Sequence, residues 1–255
     1  MTAIRAVLLA VFLGLAAPAA AQQAAPPVPT GPPAAEDVLA AYRALVDHGR
    51  DRTFFGLPER VTWRVPGPIR IAFYADEDRS AALGPALAAV AGGFGRATGQ
   101  PIDVVLTRPL SALAGAEAAR MAAGSNLEIV VGPRSVMAQM AGAFGVGDWM
   151  RGRFEDGRWP FLFSFPRFEA LIGRVMIADD EPREAQEAAL ILAVVWALGG
   201  ITLGEQMEGL VDPTAPLPAL TPLGEAVFQL MYHPEMPAGE AIPDALARAQ
   251  ALLGQ

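Results

Sequence analysis

The chemistry open to this chain is bounded by its histidines and thiols. Among 255 residues there are two histidines, His48 and His233, 185 positions apart, and no cysteine. A zinc centre of peptidase type needs paired imidazoles about one helical turn apart and a carboxylate to activate water, and neither histidine has such a neighbour. Without cysteine there is no thiolate site, iron–sulfur cluster, disulfide or thiol nucleophile. Asp179-Asp180-Glu181 gathers three carboxylates, the donor type that hard cations take. It lacks the glycine-containing ligand spacing of a cation loop, so these acids read as favourable charges at a helix N-terminus. His233 follows an expected helix and His48 another, positions where an imidazolium interacts well with the last carbonyls. Ser80, Ser111, Ser125, Ser135 and Ser164 have no nearby histidine and no Gly-x-Ser-x-Gly elbow. Gly92-Gly93-Phe94-Gly95 lies late in a helical repeat, not between strand and helix where a phosphate loop belongs. No catalytic residue, metal ligand or cofactor is expected.

The remaining chemically distinctive segment is aromatic. Seven of the 19 aromatic residues lie between Trp149 and Phe168. Trp149, Trp159, Phe161 and Phe163 are interleaved with Arg153, Arg158 and Arg167, the mixture found at binding hot spots. Phe161, Phe163 and Phe165 are two apart and share one face if they form a strand, so that face could equally pack the core. Met137, Met140 and Met150 read as core filler.

Positioning these residues requires a sizeable fold. Glu36 to Val46 has apolar residues at helical spacing. Val61 to Val65 and Ile69 to Tyr74 alternate around Pro66-Gly67-Pro68, which predicts a proline-broken strand at a sheet edge or bulge. Ser80 to Thr98 repeats as a helix stopped by Gly99-Gln100-Pro101. Ile102 to Thr107, Leu127 to Val131 and Ala170 to Ala178 read as further strands. Arg183 to Leu198 is a helix whose run from Ala188 is apolar all round, hence central and buried. At eleven residues that run is too short for a bilayer. Thr221 can cap a helix from Pro222 to Tyr232, and another spans Ile242 to Leu253. The expectation is an α+β fold with a mixed twisted sheet and packed helices, in a single domain over 36–255.

The ends and the charge balance bear on location. Residues 1–21 have Arg5, an apolar stretch from Ala6 to Ala17, Pro18 and then Ala19-Ala20-Ala21, the layout of a cleavable signal peptide. Residues 22–35 carry five prolines and no charge before Glu36, a stiff linker. A periplasmic or secreted protein follows, with no membrane anchor after cleavage. All basic residues are arginine, and the net charge of −8 offers no basic stripe for nucleic acid.

Several short motifs occur in one order: Trp63-Arg64, Pro68-Ile69-Arg70-Ile71, Ala97-Thr98-Gly99-Gln100-Pro101-Ile102, Ser125-Asn126-Leu127-Glu128-Ile129, the strand from Ile172 to Ala178, and Ala197-Leu198-Gly199. Leu220-Thr221-Pro222-Leu223 and Leu230-Met231-Tyr232-His233-Pro234-Glu235-Met236-Pro237-Ala238-Gly239 complete the set. Over about Thr62 to Leu253 this resembles the exported proteins of the domain of unknown function family 2927. That resemblance implies a metzincin-like fold, related to zinc peptidases, with a His-Glu-Glu sequence at the start of the central helix that ends in Ala-Leu-Gly. The corresponding positions here are Ile191, Leu192 and Ala193, so the implied zinc-dependent proteolysis does not carry over. The expectation is a non-catalytic pseudo-peptidase that binds an unknown protein or small ligand in the cell envelope, its former cleft apolar and filled. Two alternatives stand beside it: a small-ligand-binding protein with a pocket lined by the aromatic segment, and a residual hydrolase using carboxylates such as Asp179 or Asp180 without metal.

Overall fold

The structure is a computed structural model that describes residues 31–46, 67–113, 122–143, 146–164, 173–200, 204, 207–212 and 214–254. The segment expected to be a signal peptide, most of the expected linker, His48, the run from Val61 to Val65, Phe165, Arg167 and Phe168 lie outside the described residues. The elements in chain order are α1 (Ala35–Val46), β1 (Ile69–Tyr74), α2 (Glu77–Thr98), β2 (Ile102–Arg108), β3 (Leu127–Gly132), α3 (Arg134–Ala143), α4 (Asp148–Glu155), β4 (Phe161–Ser164), β5 (Gly173–Ala178), α5 (Arg183–Ala197), α6 (Pro222–Met231) and α7 (Ile242–Leu253). A 3-10 turn, Leu110–Leu113, follows β2.

The fold is α+β, a five-stranded mixed sheet with helices packed on it in a single domain. Its order is β2-β1-β3-β5-β4, with β4 antiparallel to β5 and every other pairing parallel. The central strands β1, β3 and β5 are buried nearly throughout because both faces are covered. Ile69, Ile71 and Phe73 of β1, with Leu127, Ile129 and Val131 of β3 and Val175 and Ile177 of β5, face the larger core, shared with α1, α2, α5, α6 and α7. The alternate residues Ala72, Tyr74, Val130, Leu162, Met176 and Ala178 face a second cluster with Leu113, Met137, Ala138, Ala141 and Phe154. That second layer was not expected from the sequence. It is built from α3 and α4, whose short, glycine-interrupted patterns carry few large apolar residues.

The position of β1 also differs from expectation, since it lies inside the sheet, paired on both sides. Its proline-rich approach precedes the ladder, so no ladder donor is lost. An irregularity does occur, though away from the prolines: Ile71 aligns with Val104 and Ala72 with Leu106, leaving Val105 as an extra residue in β2.

Several motifs of the family resemblance are punctuation in this fold. Gly99 ends α2 in the left-handed conformation, φ +66°. The Thr98 hydroxyl donates to Phe94 O at 2.7 Å and accepts from Gln100 N–H at 3.2 Å. Asn126 ties the entry of β3 to that of β1, its Oδ1 accepting from Arg70 N–H at 2.7 Å and its Nδ2 donating to Pro68 O at 2.9 Å. The Thr221 hydroxyl caps α6 by accepting from Gly224 N–H. No described helix is long and apolar enough to cross a membrane.

Candidate functional site

The helix α5 follows β5 and is fastened to it by Gln186, a buried amide. Its Nε2 donates to the carbonyls of Ala178 and Asp179, both at 3.2 Å, and of Glu181 at 2.9 Å. Satisfying these carbonyls at the strand end fixes where the helix starts. Ile191, Leu192 and Ala193 fall in its middle, not at its start as the resemblance implies. Leu192 is 2% exposed and Ala193 fully buried, while Ile191 is partly buried against the same core. One turn on, Trp196 receives two rings from β4. Phe161 meets it edge-on at 5.5 Å, and Phe163 lies tilted at 4.6 Å. The helix closes at Leu198, whose carbonyl accepts from the Tyr232 hydroxyl at 3.0 Å, so two separate motifs of the family resemblance meet here. The zinc that the resemblance implies does not fit this helix face. Two hydrocarbon side chains and a methyl group offer no lone pair to a metal. Among the described residues no three His, Cys, Asp or Glu side chains converge as a metal site.

The aromatic segment divides between interior and surface. Phe161 and Phe163 belong to the larger core, whereas Trp149 on α4 is 49% exposed. Trp149 and Trp159 meet at right angles with ring centres 5.3 Å apart, and the Arg153 guanidinium stacks 4.5 Å from the Trp149 ring centre. Arg158 is exposed and pairs with Asp156 at 3.2 Å. Trp149, Arg153 and Trp159 are thus one contiguous patch, while Arg158 points its charge at a neighbouring acid. Arg167 lies outside the described residues.

What holds the patch in place is Arg134, a residue that sequence reasoning missed. From the first turn of α3 its Nη1 donates to Phe154 O at 2.6 Å and Trp159 O at 2.8 Å. Its Nε and Nη2 reach both Asp180 oxygens at 3.1 and 2.9 Å, and Nη2 also binds Glu181. The guanidinium lies 4.8 Å from the Phe154 ring centre. Burial works against the charge, but the hydrogen bonds and fields of Asp180 and Glu181 outweigh it and hold the guanidinium pKa above its usual value. The partner acids 46 and 47 positions away give no local signal, although Asp179-Asp180-Glu181 is conspicuous in the sequence. Those acids precede α5 as expected, and two of them spend their charge on Arg134. His233 does not reach the helix carbonyls with its side chain. Its backbone N–H donates to Leu230 O at 3.0 Å, and its Nδ1 accepts from Glu235 N–H at 3.3 Å, closing the turn after α6.

At the carboxyl end of β3, beside the point where the chain connections diverge and open parallel sheets commonly bind ligands, Gly132 is crowded by side chains. A Cβ added at Gly132 would come within 2.5 Å of Leu110 Cδ2 and 3.2 Å of Met137 Cε. No protein-family model, curated protein or solved structure matches the chain.

Proposed function

We propose that this chain is an exported, non-catalytic binding protein of the cell envelope, with a metzincin-like frame whose central helix serves as core. The observation that carries the reading is the burial of Leu192 and Ala193 in α5, with Ile191 packed beside them. A peptidase site needs polar ligands facing a water-filled cleft, and this stretch of helix gives hydrocarbon to an apolar cluster. The exposed Trp149, with Arg153 and Trp159, supplies the contact surface, since aromatic and arginine side chains held in place on α4 and the turn after it lose little freedom on binding. An aromatic-lined ligand pocket is less well supported because Phe161 and Phe163 are committed to Trp196. A carboxylate-only hydrolase is less well supported because Asp180 is held by Arg134.

Metal content of the purified protein by mass spectrometry, together with a zinc titration followed by thermal melting, tests the reading. The expected result is no stoichiometric metal and an unmoved melting temperature. Stoichiometric zinc, or a melting temperature that rises with zinc, would return the enzyme reading.

A further inference from the structure

The strand β2 forms one edge of the sheet, and among the described residues no strand lies on its outer side. Ile102 alone of its seven residues is buried, and Val104 and Val105 are 39% and 45% exposed. Edge strands are usually blunted by lysine, proline or inward charges. Within β2 the charges are Asp103 near one end and Arg108 at the other. Among the described residues no ion pair involves either of them.

The extra residue Val105 decides how these charges are arranged. Asp103, Leu106 and Arg108 align with Arg70, Ala72 and Tyr74 of β1, while Val104 and Thr107 align with Ile71 and Phe73. Ala72 and Tyr74 face one core cluster and Ile71 and Phe73 the other. Asp103 and Arg108 therefore share a sheet face, which strict alternation over five positions would forbid. The ladder phase follows from Ile69 N–H bonding Pro101 O and Ala75 N–H bonding Arg108 O. In a parallel ladder of this phase Val104 and Thr107 turn their N–H and C=O groups outward.

From this we infer that β2 is a self-pairing edge that joins two copies of the chain, antiparallel, about a two-fold axis normal to the sheet at Leu106. In that register Leu106 opposes Leu106 of the second copy, Val104 opposes Thr107, and Asp103 opposes Arg108, each pair on one face. The Val104–Thr107 pairs exchange backbone hydrogen bonds. Each Asp–Arg pair falls in the closer, non-hydrogen-bonded position. The charge pattern is complementary to itself, as an isologous contact requires. One strand per copy is a small interface, so association is expected in roughly the micromolar range.

Sedimentation of the purified full chain from about 1 to 100 µM, at low and high salt, reads the association. A concentration-dependent dimer, weakened by salt, is expected. Asp103→Arg and Arg108→Asp each put like charges face to face at both ends, and each is expected to weaken the dimer by at least about tenfold. The double variant Asp103→Arg/Arg108→Asp restores opposite pairs and is expected to return dissociation to near its original value. Val104→Pro removes an outward N–H without touching the β1 ladder and should give a folded monomer, checked by its melting curve. A monomer at every concentration would leave this edge to a strand of some other protein and would overturn the self-pairing. So would a dimer indifferent to the single charge changes, or a folded double variant that stays monomeric.

Discussion

Glu128 and Arg174 stand opposite each other on β3 and β5 with their side chains buried, at 0% and 6% exposure. Arg174 Nε donates to Glu128 Oε2 at 2.5 Å, Nη2 approaches the same oxygen, and Glu128 Oε1 accepts from Ala122 N–H at 2.7 Å. Removing both charges from water is costly, and mutual attraction repays it only while both partners remain. Arg174→Met is therefore expected to lower stability by about 3–5 kcal/mol, because it strands a buried carboxylate. Glu128→Leu/Arg174→Met removes the pair together and should recover most of that loss. Urea unfolding of the three proteins measures the cycle. A single variant within about 0.5 kcal/mol of the parent would show that the pair contributes little.

At the scale of elements, the start of α6 gives a test in which propensity and packing disagree. The Thr221 hydroxyl accepts from Gly224 N–H at 3.0 Å and donates to Gly209 O at 2.6 Å. Thr221→Ala is expected to cost about 1–2 kcal/mol, the usual loss of a cap. Gly224→Ala would gain up to about 1 kcal/mol on helix propensity alone. A Cβ there, however, would run into the Leu210 carbonyl, which is backbone and cannot step aside. Gly224→Ala is thus expected to be the more damaging, by more than about 2 kcal/mol in thermal or urea unfolding. If it proves neutral, the packing of α6 against 207–211 is looser than described. The same contrast explains what was legible in the sequence. α6 and α7 follow from a threonine or proline start and a sustained apolar repeat. β3 and β5 follow from β-branched runs, and α2 from its glycine stop. α3 and α4 were missed because their burial rests on single residues such as Met137 and Phe154. The interior place of β1 could not be read because its partners Ile102 and Leu127 lie 33 and 58 positions beyond Ile69. In the candidate site the aromatic segment was visible, and the two-residue spacing of Phe161 and Phe163 allowed a core-facing strand, but what that face packs against and what holds the exposed tryptophans were not. Trp196, which draws Phe161 and Phe163 inward, and Arg134, which pins Trp159, are both remote in sequence.

For the molecule as a whole, the first and last of the described helices close against one another. Val38, Tyr42, Leu45 and Val46 of α1 are buried, and α1 packs on both α6 and α7. α7 contributes Ile242, Ala245 and Ala249, with Leu246, Leu252 and Leu253 partly buried beside them. A twelve-residue helix such as α1 is too short to hold itself in water, so its order depends on this tertiary contact. Deleting residues 241–255 removes apolar contact on the order of 5 kcal/mol, taking a few side chains at the usual value each. The sheet, by contrast, keeps α2 and α5 on one face and α3 and α4 on the other. Hydrogen exchange should therefore show the amides of α1 losing protection in the truncated chain while those of β1, β3 and β5 retain most of theirs. In the intact chain α1 and α7 should open together, at a lower free energy than the central strands. Undiminished protection of α1 after the deletion would mean that α6 alone holds it, and that the two ends of the fold are energetically separate.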